Sequence, residues 1–272
     1  MWRTQNPRTH PAHPPNGQAL AQLSLFLALV APGKAQTLLI GSCQVEVREP
    51  PTPAQRVLVL LPGWNYSRKA WCEKSSVCEE ALKRGYRLLL LEMGKSLYAS
   101  TVFPETHPEW RHYPTLRTLL DSVFPHLVER KLLLPGKSYV LGLSTGGRGV
   151  VMILAHTGTL FRAGAALSGD FDPHLDPRDR LLTGWYGPYS TRWDTVDNPL
   201  QLATRIESPL FLAHGVTDAV VPYQHTQRLY QVLQQAKPTL PCELHLDPHG
   251  QHDFAFWDKY GRKALDFFAR YE

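Results

Sequence analysis

The stretch "SYVLGLSTGGRGVVMILAH", Ser138–His156, sets a serine between two apolar runs and crowds glycines behind it. The first run, Tyr139–Leu143, is short and continuous, the pattern of a strand buried on both faces. The second reads as a helix. Gly142-Leu143-Ser144-Thr145-Gly146 is therefore G-x-S-x-G at a strand-to-helix junction. A sharp turn there exposes a hydroxyl, and the flanking positions have room for little more than hydrogen. The backbone N–H of Thr145 and the start of the helix then face the place where an oxyanion would form. A phosphate-binding loop is the rival reading, but neither G-x-x-x-x-G-K-[ST] nor G-x-G-x-x-G fits.

Working outward, strands and helices alternate. A strand or hairpin arm is expected at 37–47, and strands at 56–63, 86–93, 138–143, 161–169, 208–215 and 242–248. Helices are expected at 69–85, 115–131 (kinked or broken at Pro125), after Ser144, at 222–236 and at 253–271. Such alternation with apolar strands predicts an α/β fold, a mostly parallel sheet with helices on both faces. Chemistry then gathers at the carboxyl ends of strands.

A serine nucleophile needs a base, and the base needs an orienting acid, in the chain order Ser, Asp, His. Asp218 follows the strand of "LFLAHGVTDAVVP" and precedes a helix-starting proline, so it is the preferred acid. Asp170, Asp172 and Asp247 also follow strands. His252 is preferred as base over His249, because it directly precedes the helix-starting Asp253. His214 is expected to pack or hydrogen-bond locally. The second oxyanion donor is expected from "LLPGWNYS": Gly63 allows close approach, and Trp64 offers its backbone N–H and a ring beside the substrate. No metal or organic cofactor is implied.

The first 35 residues differ from the rest. A positive start is followed by the apolar run Ala19–Ala31, too short to span a bilayer, and by small residues Gly33 and Ala35. This order predicts a signal peptide at 1–35, an exported (periplasmic or secreted) protein with no stable membrane anchor after cleavage, and a single catalytic domain at 36–272. Cleavage removes Arg3, Arg8 and Lys34 and no acid, so the formal charge falls by three, from +5 to +2. With no basic run either, nucleic acid is not an expected partner. Of the four cysteines, Cys43 and Cys242 stand apart, whereas Cys72 and Cys78 lie six residues apart on the expected helix 69–85. A bridge between that pair requires a break in the helix. Buried thiols are the alternative, and whether any of the four pair is left open.

On these residues the chain resembles the esterase D-like group of the α/β-hydrolase superfamily, which includes feruloyl esterases and S-formylglutathione hydrolases. The similarity lies in "GLSTGGRGVVMILAHTGTLFRAGAALSG", in "GKSLYASTVFPE" (94–105) and in "GQHDFAFWDKYGRKALDFF". The resemblance implies an α/β-hydrolase fold, Ser144, Asp218 and His252 as catalytic triad, and the N–H groups of Trp64 and Thr145 as oxyanion hole. It also implies a site tyrosine, Tyr98. Pro62-Gly63 stands where that group carries His-Gly. "HGVTDAVVPYQHTQRLYQVLQQA" looks as much like the prolyl-oligopeptidase-type catalytic domains, but the chain carries no propeller to restrict a peptide. The expected substrate is a small-molecule acyl ester. "LTGWYGPYSTRWD" (182–194), including Trp185, is read as a surface insertion that either shapes an acyl pocket or uses its aromatics to pack a loop onto the body. A serine peptidase and a catalytically idle binding module are the alternatives.

Overall fold

The computed structural model describes residues 35–272, so the expected leader lies outside the described residues save for Ala35, which begins the first strand. The elements run β1 (Ala35–Ile40), β2 (Cys43–Arg48), β3 (Arg56–Leu61), α1 (Ala70–Lys74), α2 (Val77–Lys83), β4 (Tyr86–Leu91), α3 (Leu116–Thr118), α4 (Phe124–Glu129), β5 (Ser138–Leu143) and α5 (Thr145–Thr157). They continue with β6 (Phe161–Leu167), α6 (Arg180–Tyr186), α7 (Arg192–Thr195), α8 (Pro199–Leu202), β7 (Leu210–Gly215), α9 (Gln224–Ala236), β8 (Cys242–Asp247) and α10 (Phe254–Ala269).

The strands form one sheet in the order β1-β2-β4-β3-β5-β6-β7-β8. The β1–β2 and β2–β4 pairings are antiparallel, and all others are parallel. This is the α/β-hydrolase arrangement. The continuous apolar strands have a direct cause. In β3, Val57, Val59 and Leu61 enter one buried layer with α4, α5 and α9, whereas Leu58 and Leu60 enter the other with α2 and α10. A strand covered on both faces has no polar side to alternate. The strand order reverses between β3 and β5. That reversal opens a crevice at the carboxyl ends of these two strands, which carry Trp64 and Ser144.

Two local expectations are corrected. Residues 69–85 form two helices, not one. The Ser75 hydroxyl turns back onto the Trp71 carbonyl, and the Asp258 carboxylate accepts from the Ser76 N–H and hydroxyl at 2.7 Å each. Cys72 and Cys78 form a disulfide across that break; Cys43 and Cys242 are free thiols, which burial pushes up to about 12. At Pro125 the expected interruption is present: a π-helical stretch, Leu119–Val123, separates α3 from α4, and Pro125 falls in the first turn of α4, where a missing N–H is tolerated. Of the two readings of residues 182–194, the packing one holds and the pocket one does not: α6 and α7 bury Trp185, Tyr186 and Trp193 against the body.

Candidate active site

Ser144 sits between β5 and α5 at φ 55°, ψ −126°, a left-handed backbone that a side chain rarely adopts. The turn closes because both neighbours are glycine. A Cβ on Gly142 would stand 2.1 Å from the Gly146 carbonyl oxygen, and one on Gly146 would stand 2.5 Å from that of Leu61. Gly147 packs against β6, where a Cβ would meet the Leu167 carbonyl oxygen at 2.8 Å. The Ser144 N–H donates to that same carbonyl (2.8 Å).

Two loops complete the arrangement. His252, between β8 and α10, presents Nε2 at 3.0 Å from Ser144 Oγ and Nδ1 at 2.7 Å from Asp218 Oδ2. Asp218, in the loop after β7, has a fully buried side chain. Its Oδ1 accepts from the N–H groups of Val220 and Val221, both at 2.8 Å. Burial pushes this carboxyl up, but hydrogen bonds from His214 and His252, and the attraction of the His252 ring once it is protonated, outweigh that. Together they hold it well below the usual carboxylate range. An ionised Asp218 against Nδ1 leaves Nε2 as the atom that can take a proton from the serine. The Trp257 ring meets the His252 ring edge-on at 5.0 Å and is tethered through Nε1 to the Ser168 hydroxyl (3.2 Å).

The loop after β3 lies against the elbow. A Cβ on Gly63 would come within 3.1 Å of Ser144 Cβ. The N–H groups of Trp64 and Thr145 donate to no acceptor among the described residues. The half-buried Trp64 ring meets Trp110 at 4.7 Å, nearly perpendicular. Trp110 in turn fits against Gly184, where a Cβ would stand 2.3 Å from the indole.

The other expected site residues lie elsewhere. Tyr98 is not a substrate contact. It is wholly buried, its ring packs on Gly149, and its hydroxyl donates to the Pro62 carbonyl (2.9 Å), which steadies the oxyanion loop from behind. Trp185 is also wholly buried, with Nε1–H on the Thr101 carbonyl (3.1 Å), so it walls no open pocket. Both were misread because tyrosine and tryptophan beside a site look alike in sequence whether they line it or support it. His249 is exposed and outside the relay. Asp247 pairs with Lys259 (2.7 Å).

Sequence reasoning missed Arg148. This buried guanidinium, one turn after Ser144, donates to Asp170, to the Tyr186 hydroxyl (3.3 Å) and to the Asp197 carbonyl (2.7 Å). Asp197 also receives the Ser100 N–H and hydroxyl. The network ties the nucleophile helix to the 180–198 segment. Burial pushes Asp170 up to about 6, although Arg148 opposes the shift. The only sequence signal was an arginine inside an otherwise apolar helix.

The profile of the prolyl oligopeptidase family matches residues 122–271, the half that carries Ser144, Asp218 and His252. Among curated proteins, the uncharacterized protein YfhR of Escherichia coli O157:H7 is 42% identical over 127 residues, 47% of this chain and 42% of that protein. The chain thus spans less than half the length of the curated relatives it matches. Solved structures include FphF, a fluorophosphonate-binding serine hydrolase of Staphylococcus aureus. It is 18% identical with a TM-score of 0.70, covering 87% of this chain and 98% of that one. The S-formylglutathione hydrolase FrmB of the same organism is 17% identical with a TM-score of 0.68, covering 86% and 97%. The acylaminoacyl peptidase of Pyrococcus horikoshii is 14% identical with a TM-score of 0.67, covering 88% of this chain and 42% of that one. At these identities the structural likenesses establish the fold.

Proposed function

The chain belongs to the prolyl oligopeptidase family, and from that premise we propose that it is an exported serine hydrolase that cleaves carboxylic esters through an acyl-enzyme. The carrying observation is the unbroken relay from Ser144 Oγ through His252 to Asp218. Ser144 Oγ attacks the acyl carbonyl while His252 Nε2 takes its proton. Asp218 stabilises the imidazolium, and the N–H groups of Trp64 and Thr145 receive the oxyanion. The tetrahedral adduct collapses as His252 returns the proton to the leaving alkoxide, and the alcohol departs. Water, deprotonated by His252, then attacks the acyl-serine. The second adduct releases the carboxylic acid and restores the serine hydroxyl.

Fold likeness to structures of an S-formylglutathione hydrolase and a ferulic acid esterase supports an ester, and likeness to an acylaminoacyl peptidase keeps a peptide as the second reading. The Cys72–Cys78 disulfide supports export, since such bonds persist in oxidising compartments. The half-buried Trp64 and Trp110 rings, not Trp185, would flank the acyl group. The test is labelling with a fluorophosphonate, followed by rates on p-nitrophenyl esters and peptide p-nitroanilides. Wild type should label on Ser144 and favour the esters, and Ser144→Ala should do neither. Full ester hydrolysis by Ser144→Ala would sink the proposal.

A further inference from the structure

Behind the Asp218 carboxylate stands a second imidazole that the relay does not use. His214, in β7 four residues before Asp218, is fully buried. Its Nε2 lies 2.9 Å from the Val221 carbonyl oxygen and 3.3 Å from Asp218 Oδ2. Both neighbours can only accept, so Nε2 carries a proton and shares it between them. Its Nδ1 lies 2.6 Å from the Thr226 hydroxyl of α9, which fixes the ring from the other side. The carboxylate therefore meets four donors: two backbone N–H groups on Oδ1, and His252 and His214 on Oδ2.

We propose that His214 is a positioning residue of the relay, whose Nε2–H fixes the plane of the Asp218 carboxylate and tempers its pull on His252. The inference rests on the hydrolase reading. Its logic is geometric. The two backbone amides anchor Oδ1 but leave the carboxylate free to rock about that anchor. A second donor on Oδ2 occupies one of its two lone-pair directions and leaves the other for His252. That donor also holds part of the negative charge that the imidazolium would otherwise receive alone. The titratable and charged groups facing this corner are His252 from the β8–α10 loop and Asp218 itself. From α9 comes His225, which lies in the field of His214, with Asp172, Arg148 and Arg228 beyond it.

Two variants of the full chain separate positioning from bulk. An asparagine amide reaches the place of ring Nδ1, so His214→Asn keeps a partner for Thr226 and loses the donor to Asp218. A glutamine amide reaches the place of Nε2, so His214→Gln restores that donor. Rates on a p-nitrophenyl ester are measured from pH 5 to 9, together with thermal melting. His214→Asn should lower kcat about tenfold with KM within about twofold. It should also move the acid limb of kcat/KM to higher pH by about half a unit or more, because a carboxylate with one donor fewer favours the protonated relay. His214→Gln should recover most of both. An unmoved acid limb, or equal losses in the two variants that track their melting temperatures, overturns the proposal. Nitrogen-15 histidine NMR of the wild type needs no variant: His214 protonated at Nε2 supports the proposal, and protonation at Nδ1 alone overturns it. A wild type that takes no fluorophosphonate on Ser144 refutes the hydrolase reading. A labelled wild type with an indifferent His214→Asn refutes this inference alone.

Discussion

Acidification should loosen this fold through one buried ring, His225. The ring lies in α9, and its Nδ1 accepts the N–H groups of Phe171 (3.1 Å) and Asp172 (3.0 Å) from the loop after β6. Protonation at Nδ1 would set three N–H groups facing one another. Burial above all, then the neighbouring His214, pushes the ring down from 6.5 to about 4, with Asp172 opposing. The unfolded chain therefore takes up this proton first. Between those two values the unfolded state holds more protons, so stability falls as pH falls. The contribution is fully present above 6.5 and is lost as pH drops through about 4. On these values this ring's own loss between pH 8 and pH 5 is about 2 kcal/mol; Asp170, pushed up to about 6, acts in the opposite sense, so the difference between wild type and a His225 variant isolates the ring. His225→Asn puts an amide oxygen where Nδ1 stands. It can accept the same two N–H groups and does not titrate. Urea unfolding of both proteins at pH 8, 6.5 and 5 should show the variant close to wild type at the highest pH and the more stable of the two at the lowest. Parallel stability–pH curves for the two proteins would refute the reasoning.

Gly142→Ala should destabilise by about 3 kcal/mol or more and abolish ester hydrolysis, because its Cβ would meet backbone, which cannot swing aside as a side chain can. Melting and activity on one sample check both. Arg148→Met leaves the Asp170 carboxylate facing a hydrocarbon and should cost about 3–5 kcal/mol in urea unfolding; adding Asp170→Asn should return part of that. Cys72→Ser with Cys78→Ser frees a short loop, so melting should fall by an amount equivalent to about 2 kcal/mol, and reductant should have no further effect on the double variant.

The sheet was legible because strands buried on both faces have one physical signature, and "RVLVLLPG" and "SYVLGL" carry it plainly. The positions of Ser144, Asp218 and His252 were legible because chain order and strand ends leave few choices. The helix break at Ser75–Ser76 was not, since it depends on Asp258, which is 182 residues from Ser76 in sequence. The burial of Tyr98 and Trp185 likewise depends on partners distant in sequence, Gly149 and Thr101. Arg148 escaped notice because a buried guanidinium makes sense only once its carboxylate and carbonyl partners are assembled around it. The leader expected at the amino end lies outside the described residues.

The relay joins loops that follow β5, β7 and β8, and 108 residues separate Ser144 from His252. A polypeptide emerging in order acquires its strained serine early and the imidazole that would awaken it much later. Any chain interrupted before residue 252 holds a hydroxyl with no base. On the proposed reading, hydrolytic competence is then a late checkpoint of biosynthesis. The reagent that labels Ser144 would double as a probe of when, and in which compartment, folding is completed.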